Sequence, residues 1–196
     1  MLWAMTTAAR AASFCALLLS ACQAPAPAHE APPWPESGVG PTPYSAEEIR
    51  AAHPDGTELC WQMTQNGERG PDQWMQFSEG DEHGVTVWQW SERAGDVIGA
   101  PAEQYSTWAE LRDHARFDAE MTTREAATAK VAAGTFACWL YTVREVARPG
   151  VVQQYYFAHA RPGPPVLYVL TSDGEEELRM ELVQDRSSGE RSPRRW

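Results

Sequence analysis

The residues best suited to acid–base, nucleophilic or metal chemistry are few and scattered in this chain. Its five histidines and four cysteines form no His-Glu-x-x-His pair and no paired Cys-x-x-Cys, and there is no Gly-x-Ser-x-Gly turn. His114 stands near the end of a predicted helix, close to Asp113 and Asp118. An imidazole beside a carboxylate is the start of a general acid–base pair. A hydrolase-like enzyme acting on envelope polymers through His114 and nearby carboxylates is therefore the alternative reading of the chain. The same histidine is accounted for without chemistry by the negative end of the helix dipole. Asp81-Glu82-His83 reads as a polar turn between strands, and His159 lies between two alanines with no recognisable partner. No catalytic residue, metal site or cofactor is assigned.

Aromatic side chains are the other candidates. Trp88 and Trp90 share one face of a predicted strand, as do Trp139 and Tyr141, and Tyr155 and Phe157. Together with Trp61, such rows either fill the core of a small sheet or line an apolar groove, and both readings stand at this point. The leading function is non-enzymatic: a binding or scaffolding module for an apolar ligand or a protein partner.

Charge and length limit the rest. The chain has 196 residues, 27 acidic against 16 basic, and a formal charge of −11, so a nucleic-acid backbone is a poor partner. No window offers the roughly 18–20 uninterrupted apolar residues of a spanning helix. At the N-terminus Arg10 precedes the short apolar stretch Ala11–Leu19, the pattern of a secretion signal. It ends in Leu19-Ser20-Ala21-Cys22, which resembles the bacterial lipobox. That resemblance implies cleavage before Cys22, acylation of Cys22, and anchoring by two or three lipid chains. Gln23 in place of Asp favours the outer membrane by the enterobacterial sorting rule, with the domain facing the periplasm. The oxidising compartment in turn predicts a Cys60–Cys138 disulfide. Closing a loop of about 78 residues contributes ~4 kcal/mol in the chain-entropy model.

The elements that position these residues follow from pattern. Residues 1–21 are the signal peptide, and 22–43 are the lipidated Cys with a Pro/Ala-rich spacer, able to reach ~60 Å when extended. Residues 44–184 form the β-rich domain, and 185–196 are a polar tail expected to be disordered. Ser45-Ala46-Glu47-Glu48 and Thr107-Trp108-Ala109-Glu110 are capping boxes. The first opens a helix of two turns at most, stopped at Pro54. The second opens a helix over about 108–116 with Trp108, Leu111 and Ala115 on one face. Most of the remainder reads as strand, broken at Asn66-Gly67, around Gly80–Gly84, and at Arg148-Pro149-Gly150, Arg161–Pro165 and Ser172-Asp173-Gly174. Leu178, Met180 and Leu182 alternate with Arg179 and Glu181, so the last strand is one-sided. The fold class is mainly β: a curved antiparallel sheet or half-closed barrel meander, with one helix packed on its concave side and a short N-terminal helix.

Several segments together resemble a group of uncharacterised bacterial lipoproteins. They are Thr107-Trp108-Ala109-Glu110-Leu111 with His114-Ala115, then Gly134-Thr135-Phe136-Ala137-Cys138-Trp139-Leu140-Tyr141, and Pro162-Gly163-Pro164-Pro165-Val166. The resemblance implies an architecture and no mechanism. The strand order is also similar to the half-closed barrels of periplasmic lipoprotein carriers and receptors, an analogy of architecture.

Overall fold

The computed structural model describes residues 33–186. The signal peptide, Cys22 and the last ten residues lie outside that range. Nine strands form one antiparallel sheet: β1 (Glu58–Gln65), β2 (Glu68–Ser78), β3 (Gly84–Arg93), β4 (Asp96–Thr107), β5 (Thr122–Val131), β6 (Gly134–Arg144), β7 (Val151–Ala158), β8 (Leu167–Ser172) and β9 (Glu175–Arg186). Their spatial order is β4-β3-β2-β1-β9-β8-β7-β6-β5. The first four strands and the last five are thus two meanders, joined where β1 pairs with β9. Helices α1 (Ala46–Ala52) and α2 (Trp108–Asp113) complete the domain. The expected class, a mainly-β curved sheet with a packed helix, is what the chain adopts.

This topology forces the curvature. β4 and β5 are opposite edges of the sheet, yet only residues 108–121 connect them. A flat nine-stranded sheet spans about 38 Å between its edge strands. Six helical residues rise about 9 Å and eight more, fully stretched, reach about 27 Å. That is too little for a flat sheet, and the stretch after α2 is folded into turns. The sheet must curl towards the connecting segment, which then lies across the concave face.

Both helices start as their sequences dictate. Ser45 and Thr107 accept the backbone N–H groups of Glu48 and Glu110, whose carboxylates return to the cap backbone N–H groups. α2 ends at Asp113, earlier than 116, because Ala115 and Arg116 bond three residues back, to the Arg112 and Asp113 carbonyls. That tightening swings Phe117 onto the sheet, against Tyr141, Tyr155 and Phe157.

Strand register sorts the side chains into two faces. Leu59, Met75 and Gln89 face one another across β1, β2 and β3, and Tyr141, Tyr155, Tyr168 and Met180 do so across β6 to β9. These residues make up the helix-bearing face. The opposite face carries Cys60, Trp74 and Trp90, the two indoles stacked at 5.7 Å with their planes 5° apart.

Two expectations are corrected. Cys60 and Cys138 are not bridged; both are free and buried. Strands β9, β8 and β7 lie between β1 and β6, and one strand spacing of about 4.8 Å already takes most of the Cα separation a disulfide tolerates. Each thiol packs in its own cluster, Cys60 with Trp74 and Trp90, Cys138 in the main core. The second correction concerns the spacer, whose last part docks on the domain. The Trp34 ring meets Tyr141 edge-on, its Nε1 donates to the Ala119 carbonyl, and the Arg124 guanidinium lies 5.2 Å from the centres of Trp34 and Trp139. Gly40 is what lets the chain turn here, since a β-carbon on it would stand 2.3 Å from the Trp34 ring.

Candidate binding cleft

Two adjoining hollows open on the helix-bearing face. The first, about 230 Å³, is walled by Met75, Phe77 and Val87 of β2 and β3, by Ile49 of α1 and Leu111 of α2, and by Phe157 of β7. The second, about 300 Å³, continues past Trp61, Tyr168 and Met180. Met75, Gln89, Tyr155, Pro164 and Pro165 border both, so the two form one cleft. It exists because α2 is short. The helix covers the concave face only in part, and apolar side chains aimed inward by the alternation of β1 to β3 are left without a lid.

The cleft's polar groups are Gln73 and Gln89 from the sheet, Gln104 and Ser106 from β4, and His114 at the end of α2. Amides and a hydroxyl donate and accept hydrogen bonds, and the Ser106 hydroxyl becomes a nucleophile only with a base hydrogen-bonded to it. His114 is exposed, and the carboxylate of its neighbour Asp113 is taken by Arg112 at 2.7 Å and approached by Arg116 at 3.9 Å. The Arg112 bond holds the Asp113 carboxyl below the usual carboxylate range. The pair expected from sequence is therefore not assembled. Among the described residues, no three His, Cys, Asp or Glu side chains are grouped to hold a metal ion.

Of the seven aromatic residues singled out in the sequence, the structure brings five to the helix-bearing face and leaves two on the other. Trp61, Tyr155 and Phe157 line the cleft. Tyr141 shares that face but is fully buried under Trp34 and Phe117, with its hydroxyl on the Pro41 carbonyl. Trp139 is engaged with His159 and Arg124. Trp88 and Trp90 point away, and Trp90 Nε1 donates to Glu92. Tyr155 and Tyr168 both reach the Gln153 side chain, and burial pushes both phenols above their ordinary value.

No protein-family model matches the chain, nor does any curated protein. Solved structures do. The Pseudomonas aeruginosa MucA/MucB complex superposes with a TM-score of 0.50 at 11% identity, over 74% of this chain and 56% of that one. MucB alone gives 0.49 at 14%, over 74% and 57%. A protein of YmcC-like fold from Bacteroides fragilis gives 0.44 at 9%, over 69% of this chain and 97% of that one. The likeness is one of fold. This chain spans a little over half the length of the MucB chains it matches.

Sequence reasoning missed several residues of the cleft. Gln104 and Ser106 belong to β4, a strand that its Gly99 and Pro101 conceal. The lip, Gly163-Pro164-Pro165, was legible only as a turn. Trp61 Nε1 donates to the Pro165 carbonyl at 2.9 Å and ties that lip to β1. Behind it sits His53, the C-cap residue of α1, 4% exposed and stacked on Phe77 at 4.2 Å. Only the His53-Pro54 junction marked that position in the sequence, and it marked a helix end.

Proposed function

We propose that this chain is a lipid-anchored protein of the bacterial envelope whose domain binds a protein partner by taking its apolar side chains into the cleft. The observation that carries the reading is the cleft itself: an open, largely apolar hollow edged by amides, a hydroxyl and the His114 imidazole. Inserted side chains would gain about 25 cal/mol per Å² of apolar surface removed from water. Gln73, Gln89, Gln104 and Ser106 would satisfy the backbone groups that enter with them. A fold shared with the MucA/MucB structure, a complex of two proteins, supports a protein occupant.

The anchor is Cys22, acylated after cleavage of the leader, and the outer membrane facing the periplasm is its expected place. With residues 34–41 docked on the domain, about ten residues remain between Cys22 and the fold. At ~3 Å per residue they reach about 30 Å, half the span available to the whole spacer. The domain then works close to the bilayer surface.

A photo-crosslinking residue placed at Leu111 in cells tests the occupant. Protein adducts that disappear when the half-buried Met75, which borders both hollows, is replaced by Glu support the reading. Adducts to lipid, or none, overturn it. Cys22→Ser tests the anchor separately: the precursor should accumulate without acyl mass, and wild type cut at another residue without lipid would remove the localisation.

A further inference from the structure

His53 is a buried titratable group that touches the cleft's walls from behind. Neither ring nitrogen has a hydrogen-bond partner among the described residues, and the ring is 4% exposed. One face stacks on Phe77, with planes 11° apart. The Nε2 edge abuts Gly163, where the backbone runs at φ +137° and a β-carbon would stand 2.2 Å from that nitrogen. Phe77 and Gly163 both line the cleft, so its floor and its lip rest on the same imidazole.

Such a ring is stable there only while neutral. A protonated imidazole has two N–H donors to satisfy, and a buried charge without partners is costly. The Arg161 guanidinium, of the same sign, opposes the proton as well, while the Pro162 carbonyl favours it without making a hydrogen bond of normal geometry. Of the elements around His53, the strands are held by their ladders. The segment 161–165 has no ladder, and is tied by the Arg161–Asp185 ion pair, by the Arg161 N–H donating to the Ala158 carbonyl and by the Trp61–Pro165 bond. It is the part that can give way.

We infer that His53 is a pH-sensitive latch: neutral, it seats the 161–165 lip against the floor of the cleft, and protonated, it forces the lip outward and opens the cleft. The inference takes the cleft to be the binding site proposed above, but the latch can be tested without any ligand. Other ionisable groups on the surrounding elements include Glu47, Glu48 and Arg50 in α1, Tyr44 ahead of it, Asp55 after His53, Glu79 after β2, His159 after β7, Arg161 in the lip segment, and Asp185 in β9. Of these, Asp185 is the competing trigger, since its protonation would break the pair with Arg161.

Hydrogen exchange on the full chain, followed by mass spectrometry between pH 7 and pH 4 and corrected for intrinsic rates, reads the latch directly. Exchange in peptides covering 159–166, where Arg161 and Val166 carry the hydrogen-bonded amides at the two ends of the lip and Pro162, Pro164 and Pro165 carry none, should rise at least tenfold as the pH falls, while β2 and β3 stay protected. His53→Phe, which keeps the stack on Phe77, and His53→Gln should both abolish that rise, and Asp185→Asn should leave it. A rise spread evenly over all strands, a rise retained in both His53 variants, or one lost only in Asp185→Asn overturns the latch. Binding of 1-anilinonaphthalene-8-sulfonate over the same range reports the cleft: a local rise in exchange without added dye binding keeps the latch's motion but refutes its opening of the cleft.

Discussion

Replacing Trp108 and Leu111 with alanine separates the two tasks of α2, holding the fold and walling the cleft. Trp108 is 4% exposed, donates from Nε1 to the Asp81 carbonyl at 2.8 Å, and packs beside Gly80. Its truncation removes a nearly fully buried indole and its hydrogen bond to Asp81, at a cost of about 3–5 kcal/mol. Leu111 is half-buried, and its outer side already borders the open cleft. Fully burying a leucine contributes about 1.5–3 kcal/mol; half of that, about 1 kcal/mol, is the expected loss. Truncation there widens an existing hollow and creates no new one, so no cavity penalty is added. Urea unfolding followed by far-UV circular dichroism measures both variants, with the slope m expected to stay constant. Titration with an apolar fluorescent dye should show the reverse ranking. Leu111→Ala should weaken dye binding by roughly five- to tenfold, since about 1.4 kcal/mol is a factor of ten, whereas folded Trp108→Ala should change it less. If Leu111→Ala destabilises as much as Trp108→Ala and leaves dye affinity untouched, Leu111 is core and the cleft is misplaced.

Other outcomes follow from the same geometry. Alkylation of the denatured protein without reductant should modify both Cys60 and Cys138. In the native protein both should react slowly, because burial pushes their thiols up to about 12 and about 11; intact, unmodified thiols after denaturation would restore the bridge. Trp34→Ala removes the contacts with Tyr141 and Arg124, roughly 1–2 kcal/mol, and limited proteolysis should then cut within 34–41 before the domain unfolds. Burial and Arg161 lower the His53 ring from 6.5 to about 4 in the folded chain, so the unfolded chain binds more protons between these values. Its contribution to stability is complete above about pH 6.5 and is lost as the pH falls through about 4, on the order of 3 kcal/mol. Urea midpoints at pH 7 and pH 4 should therefore differ less in His53→Phe than in wild type.

Local signals in the sequence carried as far as local physics reaches. Both capping boxes are present because Ser45–Glu48 and Thr107–Glu110 need nothing beyond their own turn. The one-sided strand ending in Leu182 holds because alternation is a property of a single strand. β4 escaped because it is an exposed edge: with one side unpaired it tolerates Pro101, and with little burial it has no apolar alternation to read. The cysteine pairing failed for a different reason. An even count and an oxidising compartment describe chemistry, whereas bridging needs two β-carbons within reach, and that is set by three intervening strands. The docked spacer escaped because Trp34 was read with its Pro-rich neighbours, when its partners Tyr141, Ala119 and Arg124 lie 85 or more residues away.

The cleft itself was half legible, and the missing half is topological. Rows of aromatic residues told which rings share a strand face, but not which face the crossing segment would take. That choice follows from β4 and β5 being opposite edges joined by fourteen residues. The joining segment must lie on the concave side, so the face it crosses becomes core where that segment and the docked Trp34 cover it fully and cleft where they cover it in part. Tyr141 and Tyr155 show the division: opposite each other in the β6–β7 register and both in contact with Phe117, Tyr141 is also covered by Trp34 and fully buried, whereas Tyr155 borders the hollow. The early tightening at Ala115 ends α2 at Asp113, and part of the concave face stays open.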